Sequence, residues 1–243
     1  MENLTEVVFI LDKSGSMAGL ESDTIGGFNS TIEDQKTVEG NVIVSTVFFN
    51  NLSKVIHDRV PLSEVKPLTR DDYKVGGMTA LLDALGDAIK HIRNVHKYAR
   101  EEDKPDKTVF FITTDGIENS SHKFSFDEIK KLLEEQKAQD WDFVFFGANI
   151  DTVAVTGRMG IDPRRAVSYR SDERGTEVVY RSMSRYLRMP RLRKKLTDML
   201  HDSPSVDDDS WREEVDKDFA SREQGGTPNE GRTPDGDKAP DEK

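Results

Sequence analysis

The stretch Val7-Val8-Phe9-Ile10-Leu11-Asp12-Lys13-Ser14-Gly15-Ser16-Met17 decides the fold, because an apolar run ends there abruptly in an Asp-x-Ser-x-Ser loop. An apolar run this short, bounded by polar residues and glycine, is typical of a strand buried on both faces of a sheet. Its end therefore lies in a loop at the carboxyl edge of that sheet. One carboxylate and two hydroxyls at alternate positions can converge from a tight loop, and such hard oxygen ligands suit Mg²⁺.

Two later stretches also place small polar residues where strands or loops meet helices. Gly76-Gly77-Met78-Thr79-Ala80-Leu81-Leu82-Asp83-Ala84-Leu85 puts the Thr79 hydroxyl just ahead of an amphipathic helix. Thr108-Val109-Phe110-Phe111-Ile112-Thr113-Thr114-Asp115-Gly116 ends a second buried strand in an aspartate. The candidate site residues are thus Asp12, Ser14, Ser16, Thr79 and Asp115.

These three segments resemble the metal-ion-dependent adhesion site (MIDAS) of von Willebrand factor A (vWA) domains. The resemblance spans roughly residues 5 to 170, and all five metal-site positions are matched. It implies that Ser14 and Ser16 bind the metal directly, and that Thr79 and the two aspartates bind it directly or through water. It also implies that a Glu or Asp of a partner protein completes the coordination sphere.

The order of elements predicts an α/β fold independently of this resemblance. Apolar patterns and turn signals give the order β-α-β-β-α-β-α-β-α-β, with a hairpin after residue 41 supplying one antiparallel edge strand. A capping box formed by Ser125 and Glu128 marks the start of one helix. We predict a three-layer sandwich with a mostly parallel central sheet and helices on both faces, in which ligands bind outside the carboxyl ends of the strands.

Composition divides the chain into three predicted parts: a vWA domain at 1–170, a basic helical extension at 171–202 and an acidic disordered tail at 203–243. The net charge of −11 conceals a charge of +8 on residues 158–197 and of −9 on residues 198–243. The extension is predicted as two helices split by Pro190, with an apolar side that docks on the domain. The tail has few apolar residues and is rich in Asp, Gly and Pro, which predicts disorder.

The lean ligand set favours Mg²⁺ or Mn²⁺, with Ca²⁺ less favoured, because two carboxylates roughly balance the charge of a dication and hydroxyls are weak donors. The ion would then keep affinity for a further anionic oxygen. We therefore interpret the chain as a metal-dependent protein-binding module rather than an enzyme. The serines lack the surroundings of a nucleophile elbow, and the sequence offers no identifiable base.

Three further interpretations stay open. Arginines on one side of the extension could meet nucleic acid phosphates, an acidic protein surface or the chain's own tail; the basic residues concerned are Arg174, Arg181, Arg185, Arg188, Arg191, Arg193, Lys194 and Lys195. A carboxylate of the tail could occupy the open position of the metal or cover these arginines. A metal-dependent enzyme is a third possibility.

Cellular location is predicted from what the sequence lacks. The chain has no cysteine, no basic amino-terminal region followed by an apolar segment, and no window of about 18 apolar residues. We therefore expect a cytoplasmic protein that has no membrane partner.

Overall fold

A computed structural model describes residues 4–200 and 209–223, with side chains over 4–189 and 209–223. Its strands and helices follow the predicted order up to β6 and then add two helices. They are β1 (Leu4–Asp12), α1 (Glu21–Lys36), β2 (Asn41–Phe49), β3 (Ser53–Pro61), α2 (Leu81–Tyr98), β4 (Lys107–Thr114), α3 (Phe126–Lys137), β5 (Trp141–Gly147), α4 (Thr152–Met159), β6 (Ala166–Ser168), α5 (Glu173–Leu200) and α6 (Glu213–Glu223).

The six strands form one sheet in the order β3-β2-β1-β4-β5-β6. Only β3 runs antiparallel to its neighbour, whereas β2, β1, β4, β5 and β6 are parallel. The predicted mostly parallel sheet with one antiparallel edge strand is therefore confirmed. Because β1 and β4 are adjacent and parallel, their carboxyl ends meet at the same edge.

Alternating residues of β1 point into two separate cores, which makes the fold a three-layer sandwich. Val7, Phe9 and Leu11 pack with residues of α1, α5 and α6 on one face. Val8 and Ile10 pack with residues of α2, α3 and α4 on the other face. Both faces of the central strand are buried because helices cover them, which explains the uninterrupted apolar run.

Local signals fix several element ends. Ser125 caps α3, and both hydrogen bonds of the predicted capping box are present. Gly160 ends α4 in the left-handed conformation with φ of 69°, which glycine adopts without the steric cost of a side chain.

The prediction that Pro190 splits the extension is wrong, because α5 continues from Glu173 to Leu200. A proline removes only one helical N–H, and neighbouring turns can absorb the loss.

The prediction of disorder from residue 203 onwards is wrong for residues 209–223. This segment forms a short helical turn followed by α6. The Trp211 ring is fully buried and lies edge-on to the rings of Phe146 and Tyr186, at centroid distances of 5.9 and 5.3 Å. Val215 is also fully buried. The burial of these two side chains offsets the entropy lost when the segment becomes ordered, and composition alone does not reveal that burial. The rest of the predicted tail lies outside the described residues.

The extension is part of the main core. Val179 and Met183 of α5 belong to the same cluster as Phe9 of β1, so the predicted docking of its apolar side is confirmed.

Among the helices in the described part of the chain, none combines the length and the apolar character that a membrane-spanning helix requires.

Candidate metal centre

The first aspartate of the site ends β1 and is held by two hydrogen bonds. Asp12 Oδ1 accepts from the backbone N–H of Ser14 at 2.7 Å, and Asp12 Oδ2 accepts from Thr114 Oγ1 at 2.7 Å. Thr114 is the last residue of β4, so the side-chain bond joins the carboxyl ends of the two central strands. Asp12 is fully buried, and its orientation is fixed by these partners.

The serines of the first loop come together at the second aspartate. A single 3₁₀ turn over Gly15–Met17 brings Ser14 Oγ and Ser16 Oγ to within 3.0 Å of each other. Ser16 Oγ also donates a hydrogen bond to Asp115 Oδ1. Asp115 follows β4 directly and is buried, whereas Ser16 is exposed. The cluster is therefore open to solvent on the side of Ser16.

Thr79 joins the cluster from a third loop. A Cβ atom placed on Gly116 would lie 2.9 Å from Thr79 Oγ1, 3.2 Å from Ser16 Oγ and 3.7 Å from Ser14 Oγ. Three hydroxyls thus surround the backbone next to Asp115, and an alanine at position 116 would clash with that of Thr79 and crowd that of Ser16. The structure brings together all five residues singled out in the sequence.

Comparisons by sequence and by structure gave different results. No protein family model and no curated protein matches the sequence. By structure, the chain is similar to the vWF domain of the type V pili tip protein Mfa5 from Porphyromonas gingivalis, with 10% identity, a TM-score of 0.55, and coverage of 78% of this chain and 97% of that one. This similarity agrees with the mostly parallel sheet and the helices on both of its faces that are described above. The chain has a von Willebrand factor A fold.

Proximal thread matrix protein 1 (PTMP1) from the mussel byssus is a second structural neighbour of this vWA fold. It has 12% identity, a TM-score of 0.52, and coverage of 76% of this chain and 46% of that chain. This chain therefore spans about half the length of PTMP1. Another PTMP1 structure, with 10% identity and a TM-score of 0.50, has a zinc-occupied MIDAS motif. At these identities the likeness shows the fold alone, and metal binding by Asp12, Ser14, Ser16, Thr79 and Asp115 stays a prediction.

The electrostatics of the vWA site fit a dication. The pKa of Asp12 is raised from 3.8 to about 6, because burial and, to a smaller extent, the nearby Asp115 carboxylate outweigh the hydrogen bonds from Thr114 and Ser14, which lower it. Two neighbouring carboxylates and three hydroxyls offer only oxygen donors, which suits Mg²⁺ or Mn²⁺. Within the described residues no group of three or more His, Asp or Glu side chains could hold a metal. A cation at this site would thus be held by the hydroxyls together with the two carboxylates.

Two residues around the site were missed by the sequence analysis. Ser171 Oγ donates to Asp115 Oδ2 at 2.9 Å, and the buried Tyr73 hydroxyl donates to the backbone carbonyl of Asp12. Ser171 lies just beyond β6, and parallel strands end at the same edge, which is the signal that could have suggested it. Tyr73 lies in a loop, and nothing in the sequence points to its contact.

Two acidic residues hold the loop that follows Asp115 and do not face the cluster. Glu118 accepts from the backbone N–H groups of Leu82, Ser120 and Ser121 at 3.0, 3.0 and 2.8 Å. Asp83 accepts from three consecutive backbone N–H groups, those of residues 122–124, at 2.9 to 3.1 Å. These bonds fix the loop against the start of α2. Asp83, although it belongs to the Gly-Gly-x-Thr motif, is therefore a loop anchor.

Three of the four arginines on one side of α5 form ion pairs with acidic side chains, and the fourth contacts a backbone carbonyl. The pairs are Arg174 with Asp218 at 2.7 Å, Arg181 with Glu177 at 2.9 Å and Glu214 at 3.0 Å, and Arg188 with Asp34, while Arg185 donates to the carbonyl of Ser210 at 3.1 Å. Contacts of tail residues with the arginines, proposed from charge, are thus present in the structure. The pairing does not favour nucleic acid binding by these four arginines. The side chains at 191 and 193–195 lie outside the described residues.

Proposed function

We propose that this vWA domain binds a partner protein through a divalent cation, to which the partner contributes a Glu or Asp side chain. Asp12, Ser14, Ser16, Thr79 and Asp115 would hold the cation, and Mg²⁺ or Mn²⁺ suits them best. The observation that carries the proposal is the convergence of these five oxygen-bearing side chains from three separate loops at one edge of the sheet. The bound cation would supply a Lewis-acidic position for one further carboxylate oxygen.

The rest of the site acts by holding these ligands in place. Thr114 orients Asp12, and Ser171 orients Asp115, through single hydrogen bonds at 2.7 and 2.9 Å. Outer partners of this kind normally fix the direction in which a ligand presents its oxygen atoms. The exposure of Ser16 leaves one side open, so an incoming carboxylate would approach from there.

Binding is a better proposal than catalysis for this arrangement. Among the described residues, Ser14 bonds to Ser16 and Ser16 bonds to Asp115, and neither serine has a histidine or lysine as a hydrogen-bond partner. A general base must lie within hydrogen-bond reach of the proton it removes. The acidic group that Ser16 contacts, Asp115, is itself a proposed metal ligand, which supports binding over catalysis.

Calorimetric titration of the full chain with Mg²⁺ and with Mn²⁺ tests the metal site directly. We expect binding to the wild type and none to Asp12→Asn or Asp115→Asn. Asp127→Asn is a matched control, because it removes the same charge from an exposed position in the first turn of α3. Equal binding by all four proteins would refute the proposed ligands.

Partner capture tests the second half of the proposal. The wild type, Asp115→Asn and Asp127→Asn are immobilised and exposed to cell extract, first with Mg²⁺ and then with EDTA. We expect at least one protein that is retained by the wild type and by Asp127→Asn in Mg²⁺ and released by EDTA. Capture that survives both EDTA and Asp115→Asn would contradict metal-dependent binding.

A further inference from the structure

Two large apolar side chains are exposed on loops that build the candidate metal centre, and a third is exposed in the β2–β3 turn that is hydrogen-bonded to one of those loops. Leu52 lies in the β2–β3 turn and is 78% exposed, Met78 precedes Thr79 and is 51% exposed, and Ile117 follows Asp115 by two residues and is 68% exposed. Single exposed apolar residues are common on protein surfaces. Three on adjoining loops around one site call for an explanation in terms of binding.

Hydrogen bonds hold these loops to one another. The backbone N–H of Met78 donates to Asn51 Oδ1 at 3.0 Å, and the backbone N–H of Ala80 donates to the Asn50 carbonyl at 2.8 Å. Thr79 and Asn119 join the other two loops, because the Asn119 N–H donates to the Thr79 carbonyl at 3.1 Å and the Thr79 N–H donates to Asn119 Oδ1 at 3.0 Å. Leu52, Met78 and Ile117 thus lie on three loops that are joined to one another by hydrogen bonds.

The β2–β3 turn and the loop that carries Met78 are already in close contact at Gly77. A Cβ on Gly77 would lie 2.1 Å from Asn51 Oδ1, and φ of Gly77 is +85°, a conformation that favours glycine. The close approach of the two loops therefore depends on Gly77. The exposed side chains beside it cannot be buried by a further approach of these loops and stay accessible to a partner.

We propose that Leu52, Met78 and Ile117 form an apolar rim that contacts apolar residues on either side of the partner's acidic residue. This inference rests on the proposed function and narrows its partner to segments in which a single Glu or Asp is flanked by large apolar side chains. The rim would add area-dependent affinity and specificity to one charged contact.

Charge around the site favours such a segment over a strongly acidic one. A dication roughly balances Asp12 and Asp115, so one incoming carboxylate already gives the site a net negative charge, and a second would add to the repulsion. Glu118 and Asp83 point into backbone N–H groups, which leaves the rim side chains apolar. A second carboxylate of the partner placed against this rim would lose hydration without gaining a hydrogen bond.

Fluorescence anisotropy with short synthetic peptides in Mg²⁺ tests the apolar rim. One labelled peptide carries a central glutamate between leucines, a second carries glutamate between serines, and a third carries glutamine between leucines. We expect the first to bind the wild type about tenfold more tightly than the second, and the third to bind at least as weakly as the second. The double variant Met78→Ser/Ile117→Ser should lose the preference for leucine and keep its Mg²⁺ affinity in calorimetry.

Tyr98→Ser is the matched control, because Tyr98 is 73% exposed but lies at the far end of α2 from Thr79. It should keep the full preference. Equal binding of the two glutamate peptides to the wild type, or a preference that survives the double variant, would overturn the apolar rim while leaving metal-dependent carboxylate binding intact. Glutamate binding that ignores EDTA would instead overturn the proposed function, and the rim inference with it.

Another occupant of the rim would also be recognised. If the glutamine peptide binds as tightly as the leucine-flanked glutamate peptide, the rim holds apolar segments without the metal, and the proposal is wrong. If the wild type self-associates in sedimentation and the double variant does not, a second copy covers the rim, which also overturns the proposed partner.

Discussion

Replacing Asp12 with asparagine should stabilise the cation-free chain while abolishing cation binding. Asparagine is nearly the same shape, and its side-chain oxygen can still accept from the Ser14 N–H, as Asp12 Oδ1 does at 2.7 Å. Its amide N–H₂ would face Thr114 Oγ1, which already lies 3.2 Å from the Gly116 carbonyl and can donate to that oxygen instead. The substitution therefore removes a buried charge without leaving a polar group unpaired.

The size of the effect follows from the pKa of Asp12. Burial raises this pKa from 3.8 to about 6, and one pKa unit corresponds to about 1.4 kcal/mol between the two protonation states. Above both values, the ionised carboxylate lowers the free energy of unfolding of the cation-free chain by about 3 kcal/mol. Below pH 4 the carboxyl is protonated in the folded and unfolded states, and the penalty vanishes. Stability is thus lost as the pH rises from about 4 to about 6.

Urea unfolding of the wild type and Asp12→Asn, in EDTA and in Mg²⁺, measures this penalty. In EDTA at pH 7.5 the variant should be more stable by about 3 kcal/mol, and the difference should shrink towards zero near pH 4. Mg²⁺ at a hundred times its Kd should stabilise the wild type by about 2.7 kcal/mol and leave the variant unchanged. A variant that is less stable in EDTA at pH 7.5, or an advantage that does not change with pH, would refute the reasoning.

Four further substitutions probe the packing and the support of the site. Gly27→Ala should destabilise the chain by about 1–3 kcal/mol in urea unfolding, because its Cβ would lie 2.2 Å from the Tyr180 ring, whereas Gly26→Ala has open space and should stabilise α1 by up to about 1 kcal/mol. Ser171→Ala should weaken Mg²⁺ binding by about tenfold in calorimetry, with an unchanged urea midpoint. Trp211→Ala should lower the free energy of unfolding by about 3–5 kcal/mol.

Each of these outcomes can fail in a recognisable way. Equal stability of the two glycine variants would show that α1 and α5 are not in contact at Gly27. An unchanged Mg²⁺ affinity of Ser171→Ala would show that the Ser171 hydroxyl does not support the metal centre. A Trp211→Ala chain as stable as the wild type would mean that the segment 209–223 adds nothing to the core.

The order of the elements could be predicted because each has a strong local signal. Strands such as β1 and β4 are continuous apolar runs, and α3 begins at a complete capping box. The convergence of Asp12 and Asp115 also followed from topology, since parallel neighbouring strands end at one edge. In all these cases the deciding information lies within a few residues of the feature or in a general rule of sheet geometry.

Features that depend on distant packing were not accessible from the sequence. Trp211 is surrounded by acidic and polar residues in the chain. Its burial depends on contacts with the rings of Phe146 and Tyr186, which lie far away in the sequence. Glycine propensity alone predicts that Gly27 weakens the middle of α1, whereas its missing side chain admits the Tyr180 ring. Both cases require knowledge of which surface faces the residue, and local pattern carries no such information.

The energetics of the site support a role in binding rather than in folding. Asp12 is buried at the end of the most central strand, where a neutral side chain would make the cation-free chain more stable. Two large apolar cores offset this cost, and they leave the carboxyl edge free to hold charged and exposed apolar groups. A cation would remove the penalty, and a partner that covers Leu52, Met78 and Ile117 would remove the apolar exposure. The buried charge and the exposed apolar side chains thus lie on neighbouring segments at the carboxyl edge of the sheet, as expected of a surface that binds a cation and a partner together.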